Sequence, residues 1–313
     1  MDFTDRYISY ISGVRRYSGR TVELYRSSLE QFITYLDGED LIQSLNPSVI
    51  RSYEVYLLED RKMSARTVGL HISILSSFCK YLFKEGLLQS NPVRTVGRPK
   101  AAKRLPIFYR DESMKSYFNS TSLYAREECL GLVSGKDAAT YYDKILHRLI
   151  ISILFQTGIR RSELIGLKSA DLDYSRGVLA VRGKGDKARE IPIEDSLADE
   201  IRLYLKAKTL IGVTSDTLLC TCRGGALYPV YVDRAVKIEL GTESSITSRK
   251  SPHVLRHTIA TELLNEGAGL NSIKEMLGHS SLAATQVYTH NSIEKLKKAY
   301  NQSHPLCQSS KKQ

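Results

Sequence analysis

The chain has 313 residues, with 45 Lys and Arg against 34 Asp and Glu and a net charge of +11. That length suits two domains, and the positive excess favours an acidic partner such as nucleic acid, with RNA or a membrane surface left open by charge alone. No apolar run approaches a membrane span, and the start Met1-Asp2-Phe3-Thr4-Asp5-Arg6 lacks the basic-then-apolar order of a signal peptide, so a cytoplasmic protein with no membrane partner is expected.

From Asp2 to about Gly86 the pattern is helical. Val22, Tyr25, Leu29, Phe32, Ile33 and Leu36 recur at spacings of three and four, which predicts one apolar stripe ended by Gly38. Asn46-Pro47 opens a helix through Val49, Tyr53 and Leu57, and Ser64 caps another carrying Val68, Ile72, Leu75, Phe78 and Leu82. With a short helix near Phe3–Ile11 this predicts a four-helix bundle over residues 1–90. Residues 91–106 read as a linker, because Asn91-Pro92, Gly97, Pro99 and Pro106 break helices. Arg94, Arg98, Lys100, Lys103 and Arg104 fall in eleven residues without an acid. They suit either a solvated linker or contacts to a DNA backbone.

Residues 107–313 form the second expected domain. Asp111–Phe118 and Tyr141–Gln156 look helical, separated by a connector at 119–140 with no assignable role. Val178–Arg182 and Arg189–Ile193 are expected strands around the Gly183-Lys184-Gly185 turn. Ser196–Leu210 and Val230–Leu240 are further helices, and Thr217–Cys220 is an expected strand. The predicted fold class is therefore mainly α with a small β-sheet. Gly183-Lys184-Gly185 lacks Walker spacing, which argues against ATP use. Cys79, Cys129, Cys220, Cys222 and Cys307 are odd in number and scattered, as free thiols in a reducing compartment would be.

The richest stretch runs from Ser251 to Tyr288. Ser251-Pro252 predicts a helix start, with Ser as cap and Pro at the first position. His253 and Arg256, three apart, then share a face near the helix N-terminus, where free N–H groups favour an anion. Leu277-Gly278 ends a following helix just before His279, and Tyr288 comes nine residues later. Two imidazoles, a guanidinium and a phenol thereby converge on one anion. His253 and His257 have the i, i+4 spacing of a zinc helix, but Val254 stands where a metalloprotease needs Glu, and no metal or other cofactor is expected.

These motifs resemble the tyrosine recombinases of the phage integrase family, and most of all the Xer type. The family boxes are matched by Thr157-Gly158-Ile159-Arg160-Arg161-Ser162-Glu163-Leu164, by Lys184 of the hairpin, by His253 and Arg256 of H-x-x-R, by Leu277-Gly278-His279 and by Thr285 to His290. The resemblance spans about residue 2 to Pro305. It implies a SAM-like core-binding domain followed by a catalytic domain, which clamp double-stranded DNA at specific recombination sites. It also implies a catalytic set of Arg160, Lys184, His253, Arg256, His279 and the nucleophile Tyr288. Lys187 competes with Lys184 on position, and residues alone do not separate His257 from His253; the family pattern favours His253. Arg161 stands where the family commonly carries an apolar residue, and Glu262 where relatives often carry His.

The implied reaction is site-specific recombination through a 3′-phosphotyrosine and a Holliday junction. The implied assembly is a homo-tetramer, or a hetero-tetramer with a related recombinase, on DNA at the nucleoid, with an accessory regulator and a role in resolving chromosome or plasmid dimers. A mobile-element integrase or promoter invertase would share the chemistry. A non-catalytic architectural DNA-binding protein would show decay among the six residues, which are all present. A relaxing type IB topoisomerase would not need strand-exchange partners.

Overall fold

The structure, a computed structural model, describes residues 2–97, 107–183 and 188–278. It divides into two compact units, Met1–Arg104 and Leu105–Gln313.

In the first unit, helix α1 (Phe3–Ser9) runs on into a π-helical turn at Tyr10–Val14, and α2 spans Gly19–Tyr35. Gly38, at φ +91°, takes the left-handed conformation that turns the chain after α2. Ile33 lies off the expected stripe at 36% exposure, while Leu29, Phe32 and Leu36 are buried. A short helix not anticipated from the sequence, α3 (Leu41–Ser44), is capped by Asp40. Helix α4 (Pro47–Glu59) starts as its sequence predicts: Asn46 Oδ1 accepts from the N–H groups of Ser48 and Val49, and Pro47 needs no partner. In α5 (Ala65–Lys84) the cap is Ser64, whose hydroxyl accepts from Thr67 N–H at 3.2 Å. Tyr7, Phe32, Tyr53, Ile72 and Phe78 lie in one core. Val93 and Val96, from residues read as linker, are buried in it too. Arg94 sits exposed beside them in a 3-10 turn, Pro92–Thr95; Arg98, Lys100, Lys103 and Arg104 lie outside the described residues.

The second unit opens with α6 (Asp111–Ser120). The 119–140 connector holds a 3-10 turn and α7 (Cys129–Val133), which pack against α8 (Ala138–Thr157). Helix α8 carries the run Leu149–Phe155, apolar except for Ser152, and its second half is buried throughout. A helix hydrophobic on all sides must be surrounded. Here α7, α9 (Arg161–Ile165), α10 (Asp195–Leu210), α11 (Pro229–Glu239) and α12 (Pro252–Asn265) enclose it.

The sheet has three antiparallel strands in the order β1 (Leu172–Asp173), β2 (Val178–Arg182) and β3 (Ala188–Pro192). Pairs such as Leu179 with Ile191 and Val181 with Arg189 set the hairpin register. The strand expected at Thr217–Cys220 does not form. Cys220 makes one isolated bridge to Ala226, because its N–H is taken by the Tyr204 hydroxyl instead of a ladder partner. The last described element is α13 (Leu270–Leu277).

Candidate active site

The end of α8 begins the site. Gly158 is left-handed at φ +60°, and a Cβ there would come within 2.6 Å of Leu277 Cδ2 and 3.0 Å of Ile259 Cγ2. The glycine of the first motif is thus required twice, by its backbone conformation and by the close approach of α12 and α13. Arg160 follows as the cap residue of α9. Glu163, at the third position of α9, reaches back so that its Oε2 accepts the Arg160 N–H at 2.8 Å, a carboxylate well placed at a helix start.

Helix α12 starts where the sequence places it, with Ser251 at the cap position. Pro252 occupies the first position, yet the Ser251 hydroxyl makes no cap bond among the described residues. Tyr109 does the anchoring: the Ser251 N–H donates to its phenol oxygen at 3.2 Å, and that hydroxyl donates to Arg249 O at 3.0 Å. The Tyr109 N–H also donates to Thr258 Oγ1 at 3.0 Å, fixing a second point of α12.

Three guanidiniums meet at the C-terminal end of α13. Arg189 Nε donates to Met276 O at 2.8 Å, Arg256 Nη2 to Leu277 O at 2.5 Å, and Arg160 Nη2 to Gly278 O at 2.7 Å. Three successive carbonyls, at the negative end of a helix dipole, each receive one arginine. Arg256 Nη1 also donates to Gly158 O at 2.7 Å. Glu163 ties the cluster together, accepting from Arg160 Nη1 at 2.9 Å and from Arg189 Nη1 and Nη2 at 3.0 and 2.8 Å. Burial alone would raise the Glu163 carboxyl, but these bonds hold it below the usual range. Burial, then the nearby Arg160 charge, lowers Arg256 to about 10, which leaves it a cation at neutral pH.

His253, exposed on the first turn of α12, has its pKa lowered by desolvation first, then by Arg161, His257 and Arg256. A neutral imidazole can accept a proton. Arg161 pairs with Asp233 on α11.

Of the six residues singled out from the sequence, the structure brings Arg160 and Arg256 together at one end of α13 and puts His253 three residues before Arg256 on α12. Lys184, His279 and Tyr288 lie outside the described residues, although Gly278 leads directly to His279. No group of three or more His, Cys, Asp or Glu suited to a metal occurs among the described residues. Sequence reasoning missed Arg189. Its signal was the period of two in β3, which puts a charged residue on the same face as buried Ile191 and Ile193.

Comparison with known proteins now decides the family. The phage integrase family model matches residues 136–295, and its N-terminal SAM-like domain model matches 4–86. Tyrosine recombinase XerC of Chlorobaculum parvum is 32% identical over 96% of this chain and 93% of its own length. The chain belongs to the phage integrase family. It is a tyrosine recombinase, an enzyme of site-specific DNA recombination. XerC of Bacillus pumilus is 35% identical, covering 96% of this chain and 95% of its own. In fold, the chain is similar to XerH recombinase bound to palindromic difH substrate, with TM-score 0.66, 21% identity and coverage of 95% and 84%. A lambda integrase dimer on a core site gives TM-score 0.62, 18% identity and coverage of 91% and 97%. Among the described residues no helix is long and apolar enough to cross a membrane.

Proposed function

We propose that this protein is an Xer-like recombinase that binds a specific DNA site, opens each strand through Tyr288 and resolves chromosome or plasmid dimers. The observation that carries the chemistry is the pairing of Arg160 and Arg256 on adjacent carbonyls, with His253 on the same helix as Arg256. Two permanent cations held side by side can fork onto the non-bridging oxygens of a phosphate as negative charge builds there. Arg160, with 36% of its side chain exposed, is the one open to that phosphate.

In this reading the Tyr288 oxygen attacks phosphorus and the P–O5′ bond breaks, leaving a 3′-phosphotyrosine. An unperturbed phenol has a pKa of about 10, so its proton must leave during attack, and neutral His253 is suited to accept it. Lys184 protonates the departing 5′-oxygen, and His279 adds a hydrogen bond to the phosphate. The covalent bond conserves the free energy of the phosphodiester, so no high-energy cofactor is needed. Arg94 and the basic residues Arg98, Lys100, Lys103 and Arg104 contact the DNA backbone.

Strand exchange between two sites calls for four protomers, of this chain alone or with a related recombinase, under an accessory regulator, in the cytoplasm on the nucleoid. XerC relatives aligned over nearly the whole chain favour this role over that of a mobile-element integrase. The test is a suicide substrate that traps covalent protein on DNA. The wild type forms the adduct; Tyr288→Phe forms none while binding a half-site as well as the wild type. An adduct persisting in that variant overturns the assignment.

A further inference from the structure

Arg189 stands apart from the matched motifs, yet it completes the arginine cluster. Each Glu163 oxygen accepts twice: Oε1 from Arg160 Nη1 and Arg189 Nη1, Oε2 from the Arg160 N–H and Arg189 Nη2. Arg189 thus forks onto the carboxylate, while Arg160 gives it a single guanidinium nitrogen. The two members of that fork are sealed, at 7% and 3% side-chain exposure, against 36% for Arg160. The guanidinium of Arg189 is also fixed in place. Its Nε is bonded to Met276 O, and its plane lies where a Cβ on Gly278 would come within 3.0 Å of Nη1 and 3.1 Å of Cζ.

We propose that Arg189 is a positioning residue for DNA cleavage: by satisfying Glu163 it leaves the charge of Arg160 available to the scissile phosphate. This rests on the assignment of Arg160 made above. A buried carboxylate that loses its main counter-ion must find another, since an unpaired buried charge is strongly destabilising. Arg160 is already in contact and is free to move at its exposed side. Without Arg189 it swings from Gly278 O into a two-pronged pair with Glu163, and the phosphate loses an electrostatic partner. The defect should therefore depend on substrate charge and should require Glu163 to be ionised.

The experiment measures single-turnover covalent cleavage of two suicide substrates. One carries the natural phosphodiester, the other a neutral methylphosphonate at the scissile position. Arg189→Gln is expected to slow cleavage of the phosphodiester by about 10- to 100-fold, as losses of orienting groups do. The same variant should slow the methylphosphonate by less than about threefold. The double variant Glu163→Gln/Arg189→Gln should cleave the phosphodiester faster than Arg189→Gln alone, because no carboxylate then claims Arg160. Equal slowing on both substrates, or a double variant no faster than the single, overturns the proposal.

Arg160→Ala runs alongside. If it fails to discriminate between the substrates, the assignment of Arg160 falls and takes this proposal with it. If it discriminates while Arg189→Gln does not, only the role of Arg189 is lost. Thermal melting and half-site binding monitor folding. Should Arg189→Gln not fold, Arg189→Lys keeps the charge beside Glu163 and is expected to cleave the phosphodiester within about tenfold of wild type. A larger loss that is equal on both substrates overturns the proposal.

Discussion

Two clusters in the catalytic unit both join arginine to buried glutamate, and they are built to opposite ends. Arg148 on α8 meets Glu200 on α10 at 3.1 Å, with 7% and 12% of the side chains exposed. Its Nη1 also donates to Phe118 O and to Thr121 Oγ1, and Ser152 donates to Glu200 Oε2 at 2.6 Å. One cation faces one anion, and the helices around them are locked together. At the end of α13, two of three neighbouring guanidiniums, Arg160 and Arg189, share the single carboxylate of Glu163, and backbone carbonyls hold the third, Arg256. Within that cluster the charge sum is three minus one, a surplus of two positive charges. A balanced pair serves the fold; a surplus held in place by dipoles suits the anion proposed for this site.

The comparison predicts different kinds of damage. Arg148→Met strands Glu200 and should destabilise the protein by about 3–5 kcal/mol. Its melting temperature should drop by about 6–20 °C, while cleavage per folded molecule below the transition is unchanged. A variant that melts like wild type would break the distinction. Arg160→Lys should do the reverse. It keeps the charge but loses the fork, and should slow covalent cleavage about 100-fold, or about 2.7 kcal/mol, with the melting temperature within about 2 °C of wild type. A large loss of stability would show that Arg160 is a structural ion pair.

A third buried carboxyl, without a guanidinium, sharpens the contrast. Both oxygens of Glu262 are sealed from water and meet no hydrogen-bond partner among the described residues. Burial, then the Asp111 charge, raises it to about 8. The folded state then keeps a proton that the unfolded chain releases near pH ~4.3. Stability from this group is present in full below that pH and is lost progressively as pH rises toward about 8. Glu262→Gln should remove this dependence and stabilise the protein at pH 8 by on the order of 2 kcal/mol. Melting curves from pH 5 to 8 that fall equally in both proteins would place the carboxyl in contact with water.

Much of this was legible in the chain before folding was considered. Asn46-Pro47 and Ser64 announce helix starts because capping is local chemistry between residues two or three apart. Arg160, His253 and Arg256 stand out because each sits in a short motif whose neighbours share one helix turn. Ser251 holds the cap position that its type and place announce, but its hydroxyl makes no cap bond among the described residues, and Tyr109, more than a hundred residues earlier in the chain, instead accepts its N–H. Thr217–Cys220 misled, its extended look being spent on the Tyr204 hydroxyl.

Periodicity, caps and glycine placement, all set by interactions within a few residues, determined from sequence alone that the chain is mainly helical and carries one small hairpin, while the recombinase signature rested on the resemblance of its motifs to a known family. Tertiary structure alone decided which arginine is closed into a balanced ion pair and which keeps an exposed side. Arg148, Arg160, Arg189 and Arg256 are chemically identical, and an arginine's role depends on how many carboxylates and carbonyls reach it from distant elements. Only the packing of α9, β3, α12 and α13 around Glu163 sets that count.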